Sequence, residues 1–254
     1  MSRLEELLEG AKSVALSGHI RPDGDCIGSV MSVYQYIRRN MPEIRVNVFL
    51  ETPASVFECI QGIEQIDSYM DTLHEYDVFI AMDCSCDRLG KAEPIFQRAK
   101  KKINVDHHVS NTGCGDISIV IPEASSTCEV VYELMDAEKI DVEIAKTLYI
   151  GMIHDTGVFK YSNTSPKTLC IAAELISYGF DFTRIIDETF YEKTYDLTEE
   201  MRENSRRLNE TLASFNIDAH IINVTRGPSV TRYEVELDKG VRLNKLTGCA
   251  DDIA

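Results

Sequence analysis

What this chain lacks narrows its chemistry before any motif is read. No apolar run approaches the ~20 residues that a membrane-spanning helix needs; Asp77 to Met82, with Val78, Phe79, Ile80 and Ala81 inside, is among the longest stretches. No Gly-x-x-x-x-Gly-Lys-Ser/Thr loop occurs, which excludes ATP hydrolysis by the P-loop route. Glycine and proline are sparse, at 14 and 7 of 254 residues, so collagen-like and broadly disordered classes drop out. Positive charge is also short: 26 Lys and Arg against 42 Asp and Glu leave a net charge of −16. Strong duplex DNA binding is therefore not expected, because neutralising phosphates takes clustered cations. The opening MSRLEELLEG reads as an acidic helix rather than a secretory leader, so a cytoplasmic protein without a membrane partner is expected. The 8 cysteines are irregularly spaced, which predicts reduced, mostly buried thiols, and Cys84 and Cys86 lack the second pair that a structural zinc site requires.

From Lys12 to about Ile121, short apolar runs alternate with amphipathic segments, the pattern of an α/β fold with a mostly parallel sheet flanked by helices. Strands are predicted at residues 13–16, 45–50, 78–83, 102–105 and 117–121, and a helix at 26–39 with Ile27, Val30, Met31, Tyr34 and Ile37 at helical spacing. After Ser125 the pattern turns helical, over 127–135, 142–154, 167–177 and 182–189, with Ser126 as N-cap and Glu129 as its capping-box partner. A polar helix over about 197–213 leads to two strand-like runs, 220–225 and 230–237, joined by a Gly227-Pro228 turn signal. From Ser205 onward 7 basic residues balance 7 acidic ones, so the excess negative charge lies before this small α+β segment. The expected division is 1–195, a connecting helix 196–213 and a fragment 214–254.

Acidic residues and histidines gather in clusters: His19-x3-Asp23-x-Asp25 after the first strand, Asp83 ending the third, Asp106-His107-His108 after the fourth, and Asp155 in His154-Asp155-Thr156-Gly157. Open α/β sheets bind ligands beyond the carboxyl ends of their strands, so these loops converge. So many carboxylates would raise one another's pKa unless divalent cations joined them. Mixed Asp and His donors suit manganese or iron better than magnesium. A pair of such ions clamps a phosphoryl group and activates water. Singly, a strand-terminal Asp such as Asp83 is more often a cap or turn residue; the joint placement carries the prediction.

These clusters resemble the motifs of the DHH-family phosphoesterases: His19, Asp23 and Asp25 in HIRPDGD the first, Asp83 in AMDCS the second, Asp106-His107-His108 in VDHHVSN the third, and Asp155 in HDTG the fourth. The likeness runs over about residues 1–195, and it is strongest to the bacterial nanoRNase and bisphosphate nucleotidase branch. RecJ-type exonucleases, cyclic dinucleotide phosphodiesterases and manganese pyrophosphatases are more distant. The resemblance implies two manganese ions, with magnesium or iron(II) as substitutes. His19, Asp23 and Asp83 would hold one, and Asp25, Asp83, His107 and Asp155 the other, with Asp83 bridging. It implies catalytic roles for Asp83, for His108 facing the scissile phosphate, and for Asp106 orienting the imidazoles. Arg21, Ser110 and Asn111 would add substrate contacts, the substrate being a short oligonucleotide or nucleotide; a homodimer is compatible with this reading.

The likeness then changes. Members of that branch continue into a domain with a glycine-rich GGGH-type motif that closes over the nucleotide, and no such motif occurs here. Residues 208–254 instead resemble the small α domain of FtsK/SpoIIIE-type DNA translocases. The expectation is retained metal binding with weak or altered oligonucleotide processing, because remote binding energy contributes to rate. A non-catalytic nucleotide-binding module and a translocase accessory fragment are the competing classes.

Overall fold

The computed structural model describes residues 2–191, 199–215, 217, 219–226 and 231–237. The chain divides into two compact units, Met1–Phe190 and Tyr191–Ala254. In chain order the first runs α1 (Arg3–Leu7), β1 (Ser13–Ser17), α2 (Gly24–Asn40), β2 (Arg45–Phe49), β3 (Val78–Met82), α3 (Glu93–Arg98), β4 (Lys101–Asp106), β5 (Ile117–Val120), α4 (Thr127–Leu134), α5 (Val142–Asp155), α6 (Pro166–Ile176) and α7 (Phe182–Ile185). The strands form one sheet in the order β2-β1-β3-β4-β5, every neighbouring pair parallel, as the alternation of apolar runs with amphipathic segments predicts.

Side chains alternate between two cores. Val14, Leu16, Ile80, Met82, Ile103 and Val105 face the larger one, shared with α2, α4, α5 and α6. Ala15, Phe79 and Ala81 face a smaller one closed by Tyr76, Ile95 and Phe96. Burying one such aliphatic side chain contributes about 1.5–3 kcal/mol. From β1 the chain goes outward to β2 and returns across to β3, so the crevice where the connections diverge lies at the carboxyl ends of β1 and β3. Helices α2 and α5 approach closely because glycines face each other: a methyl group at Gly28 would lie 2.9 Å from Gly151 Cα. That approach brings Asp25, near the start of α2, beside α4.

Three local expectations are corrected. Ser126 does cap α4, its Oγ accepting from Glu129 N at 3.1 Å, but the Glu129 carboxylate does not return to Ser126. It is buried and accepts from Ser125 N, Ser125 Oγ and Thr168 Oγ1 at 3.2, 2.7 and 2.8 Å, a tertiary role that sequence spacing does not display. The helix expected over 182–189 passes into a π-helical turn at Ile186–Tyr191. Thr189 Oγ1 donates to Ile185 O at 2.7 Å, taking the carbonyl that a regular turn would use. The thiols are not all reduced: Cys86 and Cys114 form a disulfide, their Cα atoms 6.0 Å apart across 28 residues of sequence. Cys26, Cys84 and Cys128 are buried free thiols, Cys59 is half-buried, and Cys170 is exposed.

The second unit contains α8 (Glu199–Ser214) and an antiparallel pair, β6 (Ala219–Arg226) and β7 (Thr231–Leu237), with a register shift between Ile221 and Asn223. Leu212, Ile217 and Ala219 form its core, with Leu208 and Val235 packed against it. The Gly227-Pro228 turn lies outside the described residues. Among the described residues no helix is long and apolar enough to cross a membrane.

Candidate metal centre

The crevice at the carboxyl ends of β1, β3 and β4 collects the acidic and imidazole side chains. Asp83 follows β3 directly, with its N–H donating to Val105 O at 3.0 Å and its backbone at φ +57°. A left-handed conformation outside glycine costs about 1–3 kcal/mol and clusters at functional sites; Asp is among the residues that tolerate it best. The buried Asp83 carboxylate faces two ways: Oδ2 lies 3.4 Å from His19 Nε2, and Oδ1 lies 3.8 Å from His107 Nε2. Around His107 Nε2 stand Asp155 Oδ2 at 3.2 Å and Asp25 Oδ2 at 3.9 Å, while Asp23 Oδ1 lies 3.8 Å from His19 Nε2.

Each imidazole is oriented through its other nitrogen. His19 Nδ1 donates to Ile20 O at 2.8 Å and His107 Nδ1 to Ala124 O at 3.3 Å, since a carbonyl can only accept. Both Nε2 atoms thereby face the carboxylates, the arrangement found at metal-ligating histidines; without a cation, burial opposes protonation of His19, but the Asp23 and Asp83 carboxylates hold it well above its ordinary value. His107 Nε2 is buried and has no hydrogen-bond partner. An orphaned buried nitrogen among carboxylates is costly without a cation between them. Two donors bound about 2.1 Å from one cation stand about 3–3.5 Å apart, close to the spacings seen here. Donor atoms of Asp25, His107 and Asp155 lie within 4.8 Å of one another, as do those of His19, Cys26 and Asp83, and those of Asp83, Asp106, His107 and His108. The residues present therefore fit divalent cations. Burial pushes the Cys26 thiol up to about 12, so it stays protonated in the metal-free protein.

Asp106 plays a different part. Its Oδ1 accepts from His107 N, His108 N and His108 Nδ1 at 2.7, 3.2 and 2.8 Å, and its Oδ2 from Asn111 Nδ2 at 2.6 Å. Burial opposes its ionisation, but the hydrogen bonds from His108 and Asn111 outweigh that and hold the carboxyl below its ordinary value. His108, in turn, is raised to about 9, first by its bond to Asp106. The other carboxylates move upward. Burial, then the charge of Asp25, raises Asp83 well above the usual range; burial is also the largest cause at Asp25, and burial with Asp25 and Asp23 pushes Asp155 up to about 8.

Of the residues singled out from sequence, His19, Asp25, Asp83, Asp106, His107, His108 and Asp155 converge, and Asp23 sits at the rim as the N-cap of α2. Ser110 is exposed in the loop beyond His108, and Arg21 is exposed with φ +53°, its N–H donating to Glu51 Oε2 at 2.7 Å. Asn111 differs from expectation: it is buried, its Nδ2 donating to Cys84 O, Asn104 Oδ1 and Asp106 Oδ2, and its Oδ1 accepting from Gly113 N. Its amide is committed to the protein rather than offered to a substrate. His154 packs its ring against Phe57 and Phe190, at 5.2 and 5.5 Å between centroids. Sequence reasoning missed Thr127, whose Oγ1 donates to Asp83 Oδ1 at 3.0 Å and whose N–H donates to Asp25 Oδ2 at 2.6 Å. It missed Asn163 too, whose Nδ2 reaches Ser125 O and Asp155 O. The Ser-Ser-Thr run before α4 was the available signal, and it reads locally as a cap. A cavity of about 290 Å³ lined by Glu5, Leu8, Glu43 and Lys139 lies at the amino ends of the strands, away from this chemistry.

A parallel α/β sheet whose strand ends present an Asp-His cluster of this kind defines a class of metal-dependent domains. The DHH family, N-terminal domain, matches residues 13–152, more than half of the chain, and the chain belongs to that family. Over 175 residues it is 30% identical to a probable bifunctional oligoribonuclease and PAP phosphatase NrnA from Streptococcus mutans, covering 68% of this chain and 55% of that protein. The chain thus spans about half the length of the curated relatives it matches there. An exopolyphosphatase-related protein from Bacteroides fragilis superposes with TM-score 0.69 at 27% identity, over 84% of this chain and 64% of the other. The FtsK alpha domain matches residues 183–254. The chain is also 47% identical over 55 residues to the DNA translocase FtsK of Clostridium tetani, 22% of this chain and 7% of that protein.

Proposed function

We propose that this chain hydrolyses phosphoester bonds of short oligonucleotides or 3′,5′-bisphosphate nucleotides, with two manganese ions as cofactors. The observation that carries the reading is the two-way Asp83 carboxylate between His19 Nε2 and the orphaned His107 Nε2. In this reading His19, Asp23 and Asp83 hold one cation, and Asp25, Asp83, His107 and Asp155 hold the other. Such a pair supplies a nucleophilic water at neutral pH and neutralises the phosphoryl oxygens. The Asp and His donor set favours manganese or iron(II) over magnesium.

The chain's own residues do the rest. His108, protonated through its bond to Asp106, presents Nε2 as a hydrogen-bond donor to the phosphate. Asp106 holds both backbone amides and the His108 imidazole of the motif in register, and Asn111 fixes Asp106. Arg21 and Ser110, both exposed, would add substrate contacts. The relatives named for oligoribonuclease and PAP phosphatase activity support this substrate class. A specific observation favours a second reading, binding without turnover: after the shared domain the chain matches an FtsK alpha domain.

The test is a panel of short RNA, 3′-phosphoadenosine 5′-phosphate, cyclic di-AMP and pyrophosphate with manganese, alongside metal content by elemental analysis. Cleavage of the first two supports the proposal. Cleavage of cyclic di-AMP or pyrophosphate alone moves the activity to another branch, and tight binding without product selects the second reading. In Asp83→Ala both ions and all turnover should be lost; two ions still bound by native mass spectrometry would sink the bridging role.

A further inference from the structure

One short segment bonds Asp25, Asp83 and His107 of the cation position assigned above and reaches Asp155 through Asn163. Thr127 N and Cys128 N, the first amides of α4, donate to Asp25 Oδ2 and Oδ1 at 2.6 and 2.9 Å. Thr127 Oγ1 donates to Asp83 Oδ1 at 3.0 Å. Ala124 O accepts from His107 Nδ1 at 3.3 Å. Ser125 O accepts from Asn163 Nδ2 at 2.9 Å, and the same nitrogen lies 3.2 Å from Asp155 O, which ties the end of α5 to the turn. His19 is held elsewhere, by Ile20 O, and the Asp23 carboxylate by the amides of Asp25 and Cys26. The turn is itself anchored from beneath: the Glu129 carboxylate takes Ser125 N, Ser125 Oγ and Thr168 Oγ1, which places α6 behind it.

We infer that the turn Ala124–Cys128, with Thr127 and Asn163 as its positioning residues, sets the affinity of one metal position of the pair and leaves the His19–Asp23 position to its own supports. The inference rests on the two-cation reading proposed above. Its physical basis is that the Asp25 carboxylate, held by two amides, and the Asp83 carboxylate, held by a hydroxyl, cannot rotate away freely, so a cation between them finds its ligands preorganised. Thr127 selects which Asp83 oxygen faces His107, because its hydroxyl bonds Oδ1 and not Oδ2. Losing such an outer hydrogen bond typically weakens metal affinity about 10–100-fold.

The experiment is manganese titration of the full, chelator-treated chain, followed by calorimetry and by electron paramagnetic resonance, whose spectrum distinguishes a coupled pair of ions from a single one. Wild type, Thr127→Val, Thr127→Ser and Asn163→Leu are compared; Asn163 is exposed, so its replacement keeps a folded control even where Thr127→Val disturbs the core. The expected result is two ions in wild type and, in Thr127→Val and Asn163→Leu, one site weakened about tenfold or more with a single-ion spectrum at limiting manganese. Thr127→Ser should restore the pair. Unchanged affinities in both variants, or equal weakening of both sites, would overturn the inference while leaving the two-metal reading intact. Fewer than two ions in wild type would overturn that reading and the inference with it.

Discussion

Replacing Asp106 by Asn leaves the volume of a buried side chain unchanged, removes its charge and turns one acceptor into a donor. Asp106 accepts from His107 N, His108 N, His108 Nδ1 and Asn111 Nδ2, so an amide there sets its NH2 against hydrogens that already point inward. Bonds to a charged group contribute about 1.5–3 kcal/mol each, and the two side-chain bonds lost put the cost at about 3–6 kcal/mol. That is a large part of the ~5–15 kcal/mol that stabilises a typical domain. The same pair can be weighed through His108, which moves from 6.5 to about 9 in the folded protein. Such a displacement corresponds to about 3 kcal/mol, and solvent screening of a ring 40% exposed reduces it to about 1–2 kcal/mol. The sign follows from the raised folded pKa: this contribution is complete below 6.5, declines as pH rises, and is gone above about 9. Urea unfolding of chelator-treated wild type and Asp106→Asn at pH 7 and pH 10 measures both quantities. A gap of about 3–6 kcal/mol at pH 7, narrowing by about 1–2 kcal/mol at pH 10, is expected. A gap under about 1 kcal/mol at neutral pH, or one identical at the two pH values, refutes the assignment of Asp106 as the ionised anchor of His108.

Because Asp155 is held up to about 8 and Asp83 is raised too, metal uptake at pH 7 should displace about one or two protons, and apparent affinity should climb with pH through 8. Calorimetry in buffers of different ionisation enthalpy reads this directly, and zero proton release contradicts it. Gly151→Ala would drive a methyl group into Cys128 Sγ and to 3.1 Å from Asp25 Oδ1. A loss of about 1–3 kcal/mol, seen as a melting point several degrees lower, is expected, and an unchanged melting point would show that α2 and α5 can spread. Val158 sits at φ +55°, a conformation that β-branched residues rarely adopt. Val158→Gly should change stability by less than about 1 kcal/mol, since relief of strain offsets lost packing; a loss above about 2 kcal/mol in denaturant unfolding would mean that the strain is absent.

The parallel sheet was legible because strands buried on both faces are mostly apolar: residues 78–82 can hardly be read otherwise. The cluster was legible for a related reason, since each chemically active group directly follows one of those strands or ends a helix. What escaped was tertiary pairing between distant segments. Thr127 meets Asp25 across 102 residues and Glu129 meets Thr168 across 39, and neither separation leaves a periodic trace. The Cys86–Cys114 link, 28 residues apart, is silent for the same reason. Asn111 was misjudged because an Asn in a loop beyond a ligand motif offers donors to solvent and protein alike; only burial tells which take them. The left-handed run Gly157, Val158 and Phe159 contradicts residue preference, so local rules argue against what the fold imposes after Asp155.

Identical carboxyl groups a few ångströms apart are sorted by the donors that reach them. Asp106, with four hydrogen bonds and a cationic neighbour, stays ionised despite complete burial, and so acts as a fixed strut for the imidazoles. Asp83, Asp25 and Asp155 have fewer compensating donors for their burial and repel one another, so each is raised above the usual carboxylate range until positive charge arrives. A protein that simply stabilised its fold would pair these groups with Lys or Arg. Among the described residues, the Lys and Arg side chains that meet carboxylates at close range, such as Arg39 with Asp141 and Lys100 with Asp77, pair with carboxylates outside the cluster. The electrostatic deficit is confined to the strand ends, where His107 Nε2 also lacks a partner, and that confinement, more than any single residue, argues that the crevice is built around cations rather than merely tolerant of them.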